Sequence, residues 1–109
     1  MKIAVKNIFE LIPEQISEEL FENIVTGENL RIERIISKGH STADNQWYDQ
    51  EEHEWVMVLK GQAKLEFADH SIVHLEAGSH INIPAHTRHR VAWTQPDTET
   101  VWLAVYYTQ

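Results

Sequence analysis

The chain has 109 residues, a length that suits one compact domain. Nine Lys and Arg residues face 17 Asp and Glu residues, which leaves a net charge of −8. Binding to nucleic acid or to an anionic membrane requires clustered cations, so both are excluded as expected partners. A hydrophobic share of 42% argues against intrinsic disorder. We therefore expect one folded domain spanning residues 1–109.

The chain has no cysteine, so it can form neither a disulfide nor a thiolate metal site. Any transition metal would have to be held by imidazole, carboxylate, amide or phenol groups. No apolar run approaches the roughly 20 residues that cross a bilayer, and the N-terminus turns acidic too early for a secretion signal. We therefore expect a soluble, cytoplasmic protein. All seven histidines fall between His40 and His89, which is where metal or acid–base chemistry is to be sought.

The first 29 residues predict an extended segment followed by a short helix. Four apolar residues recur at helical spacing: Leu20, Phe21, Ile24 and Val25. Ser17 can cap the N-terminus of this helix and Gly27 can end it. Because a nine-residue helix is marginal alone, the helix over residues 17–25 is expected to pack against a larger element.

From residue 30 onward the hydrophobic pattern changes to a period of two, which is typical of β-strands. The pattern predicts strands over residues 30–35, 55–59, 63–67, 72–75, 80–83, 88–93 and 101–107. Gly61, Gly78 and Pro84 mark turns between them. Short strands with frequent turn signals indicate an antiparallel sandwich or a small barrel.

The segment from residue 78 to residue 93 resembles the second of the two sequence motifs of the cupin family. Gly78, Pro84 and His89 stand at the family's spacing. His86 replaces the second glycine of that motif, and Trp93 replaces its asparagine.

The segment from residue 48 to residue 61 resembles the first cupin motif with larger departures. Six residues separate Glu54 from Gly61, as the family requires. Tyr48 and Gln50 occupy the positions of the family's two histidines, and Gly39 lies too far upstream to be the leading glycine.

The resemblance covers residues 30–107 and implies an all-β fold, an antiparallel double-stranded β-helix or jelly-roll barrel. We expect the N-terminal extension and helix to occupy residues 1–29 and the barrel residues 30–107. Small cupins commonly pair through strand edges and N-terminal segments, so the resemblance also implies a homodimer.

The resemblance places a divalent metal at one mouth of the barrel. Glu54 and His89 are the expected ligands, assisted by Gln50 and by His86. This donor set suits Fe, Mn, Ni or Zn. The alternative is a barrel that has lost its metal and keeps Glu54 and His89 as a buried hydrogen-bonded pair.

Two aromatic residues are expected to line the pocket, Tyr48 and Trp93, since the strand period puts Trp93 on the same face as His89. Tyr48 can also act as a phenolate ligand. His86 has two interpretations: a turn residue with a left-handed backbone, or a nitrogen donor that replaces a missing histidine.

Three hypotheses for the function follow. In the first, the chain is a metal-binding cupin that binds or transforms a small organic molecule, with dioxygenase, isomerase or hydrolase chemistry open. In the second, it is a non-catalytic small-molecule binding or sensor barrel with a degenerate metal site. In the third, it is a structural dimer module. Because the cupin fold supports many chemistries, the fold does not choose among them.

Overall fold

A computed structural model describes all residues from Met1 to Gln109, and they form eight β-strands and no helix. The strands are β1 Leu20–Thr26, β2 Leu30–Ser37, β3 His53–Lys60, β4 Ala63–Phe67, β5 Ile72–Leu75, β6 His80–Ile83, β7 His89–Thr94 and β8 Thr100–Tyr107. No segment of the structure is a long apolar helix of the kind that crosses a membrane.

The strands pair antiparallel in two sheets that enclose the core. One sheet has five strands in the order β1-β2-β8-β3-β6, and the other has three in the order β5-β4-β7. Alternation along β3 shows how the sequence builds the interior: Glu54, Val56 and Val58 are buried, and the residues between them are half-buried. The prediction of an all-β antiparallel barrel is confirmed.

The predicted helix over residues 17–25 is wrong, because this region forms β1. Leu20 pairs with Ile36 and Phe21 pairs with Ile35, so the segment extends the edge of the larger sheet. A register shift leaves Ile24 as an extra residue between two paired ones. This bulge interrupts the alternation of apolar residues and produces a spacing that imitates a helix. Pairing with β2 gives the backbone of β1 hydrogen-bond partners in the larger sheet. A helix of nine residues is marginally stable on its own, so the strand is favoured.

The N-terminal segment lies against the outer side of β1 and β2, where Arg34 holds it. The Arg34 guanidinium donates to the carbonyl oxygens of Ile8 and Glu10 at 2.9 and 2.6 Å. It also pairs with the Glu22 carboxylate at 2.9 Å. Arg34 is 7% exposed, so the segment buries a charged side chain whose donors are all directed to oxygen atoms.

Candidate functional site

One cavity lies inside the barrel, and residues from both sheets line it. It has a volume of about 50 Å³, which is room for about three or four water molecules. Its lining residues are Glu19, Phe21, Ile35, Tyr48, Gln50, Glu54, Val56, Leu65, Ile83, His89, Val91, Trp102 and Tyr106. The wall is therefore mostly apolar and aromatic, with four polar side chains converging in it, which is the usual composition of a ligand pocket.

The most buried polar groups in the cavity are the side chains of Glu54 and His89. The Nε2 atom of His89 lies 3.5 Å from Oε1 of Glu54, and the two side chains are 5% and 10% exposed. The His89 Nδ1–H donates to the carbonyl oxygen of Thr87 at 2.8 Å. This bond fixes the ring orientation and directs Nε2 toward the carboxylate.

Gln50 and Tyr48 belong to the segment before β3, which runs beside His89. The backbone N–H of Tyr48 donates to the His89 carbonyl at 2.7 Å, and the His89 N–H donates back at 3.1 Å. The rings of Tyr48 and His89 stack with centroids 5.6 Å apart. The Gln50 side-chain N–H₂ donates to Oε1 of Glu54 at 3.0 Å. The structure thus brings Tyr48, Gln50, Glu54 and His89 together.

Burial and charge act in opposite directions on the His89 imidazole. Burial lowers the pKa of His89, but the hydrogen bond to Glu54 and the bond to the Thr87 carbonyl together outweigh it. The pKa of His89 is therefore raised above its usual value, and the Glu54 carboxylate stabilises the protonated form of the ring.

Glu19 is a cavity residue that the sequence interpretation missed, because it lies outside both cupin motifs. It precedes β1, and its carboxylate accepts a hydrogen bond from the Ser37 hydroxyl. Ser37 in turn accepts a bond from Trp102 Nε1 at 3.1 Å. Burial raises the pKa of Glu19, and the charge of Glu54 adds to this effect against the lowering by Ser37 and His40. Only the strand pairing of β1 brings this carboxylate over the cavity, so no local signal could have found it.

His86, the predicted auxiliary metal ligand, does not line the cavity. Its backbone is left-handed, with φ of 62°, and its N–H donates to the carbonyl oxygen of Gln50 at 2.8 Å. Its ring is 65% exposed and lies 3.0 Å from the Asp49 carboxylate. The position therefore matches the turn-residue interpretation, and the backbone of His86 helps to hold Gln50 in place.

Trp93, the second predicted pocket aromatic, lies outside the cavity because β7 contains a bulge. Val91 pairs with Leu65, but Trp93 pairs with Lys64, so Ala92 is an extra residue. The bulge moves Trp93 to the face opposite that of His89, where Lys64 Nζ lies 5.4 Å from its ring centroid. Val91 takes its expected place in the cavity wall.

The residues present do not fit a tightly held divalent transition metal. Glu54 and His89 supply one carboxylate and one imidazole, and no third His, Cys, Asp or Glu completes a group with them. Gln50 directs its N–H₂ and not its oxygen at Glu54. Burial and the charges of Glu19 and Glu54 raise the pKa of Tyr48, which opposes ligation as a phenolate. Catalytic zinc sites normally have three protein ligands, and this set falls short.

Comparison with known proteins identifies the family. A family model described as a cupin domain matches residues 33–106, more than half of the chain. The chain therefore belongs to the cupin family, whose members commonly bind divalent metals. No curated protein matches the chain significantly.

Several solved structures are similar to this one. A Ralstonia eutropha protein described provisionally as a mannose-6-phosphate isomerase shares 39% identity at a TM-score of 0.93, covering 98% of this chain and 100% of that chain. A cupin 2 conserved barrel domain protein from Leptotrichia buccalis shares 21% identity at a TM-score of 0.73, covering 91% and 45%. A cupin superfamily protein from Desulfitobacterium hafniense shares 17% identity at a TM-score of 0.75, covering 91% and 85%. The last two support the fold alone.

Proposed function

We propose that this cupin binds a small organic molecule directly in its barrel cavity, with the Glu54–His89 pair as the polar anchor in place of a metal. The observation that carries the proposal is the burial of this pair in an otherwise apolar wall. A buried ion pair contributes little net stability compared with apolar packing, so its presence favours a role in recognition. The cavity size limits the bound part of the ligand to a few non-hydrogen atoms.

The pair offers both kinds of hydrogen bond to such a ligand. The protonated His89 can donate through Nε2, and the Glu54 carboxylate can accept. Thr87 and Gln50 hold the two side chains, so little side-chain entropy is lost when a ligand binds.

The test is a nuclear magnetic resonance titration of the full chain with two neutral probes, 1-butanol and cyclopentanone. We expect saturable shifts in the methyl signals of Ile35, Leu65 and Val91, with a Kd in the millimolar range, which corresponds to about 4 kcal/mol. His89→Gln should weaken the binding of cyclopentanone, whose carbonyl oxygen accepts from the protonated ring. His80→Gln is the matched control, since His80 is exposed and outside the cavity. Shifts that do not saturate, or that appear only on the outer surface, would contradict the proposal.

A second candidate function is isomerisation of the bound molecule by proton transfer. It is favoured by one observation, that a buried imidazole of raised pKa directs Nε2 into a cavity beside a carboxylate. The description of the Ralstonia protein belongs to the same reaction class. Its substrate carries a phosphate, which normally requires Lys or Arg, and neither lines this cavity. We therefore propose isomerisation for this chain, but of a substrate without a phosphate group.

This second candidate is tested with glyceraldehyde, the smallest aldose with a proton on C2, incubated with the protein in deuterated water. Deuterium incorporation at C2 that His89→Gln abolishes would support isomerase chemistry. Incorporation no faster than in protein-free buffer would contradict it.

A further inference from the structure

The cavity wall has more acidic than basic side chains. Its polar side chains are Glu19, Gln50, Glu54 and His89, so two carboxylates face one imidazole. No Lys or Arg is among the lining residues. Even with His89 fully protonated, the ionised cavity keeps one negative charge without a partner.

One cation, Arg31, contacts a wall residue from outside the cavity. The Arg31 guanidinium stacks on the ring of Tyr106 at 3.8 Å from its centroid. It is occupied by two other carboxylates, those of Glu33 at 2.7 Å and Glu52 at 2.8 Å. Arg31 is therefore engaged by two carboxylates outside the cavity, although its charge still lowers the pKa of Tyr106.

The charge of Glu54 acts on three other ionisable groups of the wall. Burial is the largest cause that raises the pKa values of Glu19, Tyr48 and Tyr106, and the charge of Glu54 raises each of them further. These groups come from three different parts of the chain, so the effect belongs to the cavity and not to one strand. A negative potential in a site of low polarity favours a cation over an anion.

The wall also contains four aromatic rings. Phe21, Tyr48, Trp102 and Tyr106 all line the cavity. Aromatic faces attract cations through the electrostatic quadrupole of the ring, and the attraction is stronger where water is excluded. Carboxylate and aromatic groups together are the chemistry that recognises an ammonium group.

We propose that the ligand of this cavity is a small organic ammonium compound and that Glu19 is the residue that selects its charge. Glu54 is already compensated by His89 at 3.5 Å. Glu19 accepts a hydrogen bond from the Ser37 hydroxyl, and the His40 imidazole, which also acts on its charge, lies outside the cavity wall. Glu19 is therefore the wall carboxylate that has no basic partner within the wall. This inference rests on the proposed function, since it names the substrate class of the same cavity.

The experiment compares three probes of matched shape and different charge: butylammonium, 1-butanol and butyrate. Each is titrated into the full chain near neutral pH at constant ionic strength, and binding is followed by the cavity methyl signals. We expect butylammonium to bind about tenfold more tightly than 1-butanol, a difference of about 1.4 kcal/mol, and butyrate to bind more weakly than either. Glu19→Gln should remove the preference for butylammonium. Glu18→Gln should keep it, because Glu18 is exposed and outside the cavity.

The outcomes separate this inference from the proposed function. If 1-butanol binds in the cavity and butylammonium binds no better, the charge preference is refuted and the small-molecule site stands. If none of the three probes binds, both are refuted. A preference for butylammonium that survives Glu19→Gln would refute the role of Glu19, and tighter binding of butyrate would refute the ligand class.

Discussion

At the residue scale, the cavity depends on the charges of three acid–base groups, the buried Glu54 and His89 and the half-buried Glu19. Glu54 and His89 compensate each other, and Gln50 and Thr87 hold them in place. Glu19 stands apart from this pair with a single hydroxyl partner. The site therefore combines a carboxylate–imidazole pair with a second carboxylate whose burial is only partly offset by Ser37 and His40.

The interaction of His89 with Glu54 should make the stability of the fold depend on pH. The pKa of His89 in the folded chain is raised above 6.5, so the native state holds its proton more tightly than the unfolded state. The stabilisation is complete below about pH 6.5 and is lost as the pH rises through the folded pKa. The measurement is a pH titration of the His89 ring protons, together with unfolding in denaturant at several pH values.

Glu54→Gln is the informative variant for this prediction, because it removes the negative partner and keeps the shape. It should lower the pKa of His89 and flatten the pH dependence of stability. A His89 pKa at or below 6.5 in the wild-type chain would show that the pair is not ionic.

For Glu19 we expect substitution to increase the stability of the fold. Burial raises its pKa, so the native state binds the proton more tightly and ionised Glu19 destabilises the fold as the pH rises. Glu19→Gln should raise the free energy of unfolding by about 1 kcal/mol at neutral pH, as is common for residues kept for binding. Denaturant unfolding measures it, with the exposed Glu18→Gln expected to stay within about 0.5 kcal/mol of wild type. A loss of stability in Glu19→Gln would be inconsistent with this assignment.

Site residues that belong to a short sequence motif could be predicted from the sequence, and those placed by long-range strand pairing could not. Glu54 and His89 stand in recognisable motifs, and the strand period places them on inward faces. His86 carried two interpretations because one residue can be a turn or a donor, and only its surroundings show that its ring turns to Asp49. Glu19 reaches the cavity through the pairing of β1 with β2, which no spacing within the chain encodes.

At the element scale, the two departures from the sequence interpretation have the same cause. Bulges at Ile24 in β1 and at Ala92 in β7 each add one residue to a strand. The first made a strand resemble a helix, and the second placed Trp93 on the outside. The strands whose inward alternation is unbroken follow the period of two, and their ends were predicted to within a few residues. A bulge is set by the partner strand, so hydrophobic period alone cannot locate it.

The N-terminal segment predicts a specific loss of stability at this scale. Arg34 is buried and connects β2 to Glu22 and to the carbonyl oxygens of Ile8 and Glu10. Arg34→Ala should lower the free energy of unfolding by about 2 kcal/mol, because it removes a buried guanidinium together with all the hydrogen bonds that it donates. Hydrogen exchange should also speed up in the N-terminal segment, where the acceptors lie.

Lys60→Ala is the control for that experiment. Lys60 pairs with Glu99 at 3.3 Å with its side chain 48% exposed, so its loss should change stability by less than about 1 kcal/mol. An equal effect of the two substitutions would mean that Arg34 does not hold the segment.

At the scale of the whole molecule, the apolar surface is concentrated near the N-terminus. Most of the exposed large hydrophobic residues fall within the first 30 positions: Met1, Ile3, Val5, Phe9, Leu11, Phe21, Ile24, Val25 and Leu30. β1 is also an edge strand of the larger sheet, with one side of its backbone unpaired. An antiparallel edge of this kind can pair with its own copy about a two-fold axis.

We therefore predict a homodimer formed through β1 and the N-terminal segment, in which a second copy covers this surface. Light scattering should give twice the chain mass of 12.7 kDa at micromolar concentration. Val25→Lys should shift the protein toward monomer, and Ile72→Lys, on the edge of the smaller sheet and 59% exposed, should not. A wild-type monomer at that concentration would contradict the prediction.

The assignment of a cavity that works without a resident metal is tested most directly by elemental analysis. The untagged full chain is incubated with Fe, Mn, Ni and Zn salts, separated from excess ions and compared with a Glu54→Gln and His89→Gln double variant. Because no group of three His, Cys, Asp or Glu side chains is placed to hold a metal ion, we expect metal contents far below stoichiometric and equal in the two proteins. A stoichiometric metal in the wild type that the double variant loses would contradict the assignment and make Glu54 and His89 metal ligands.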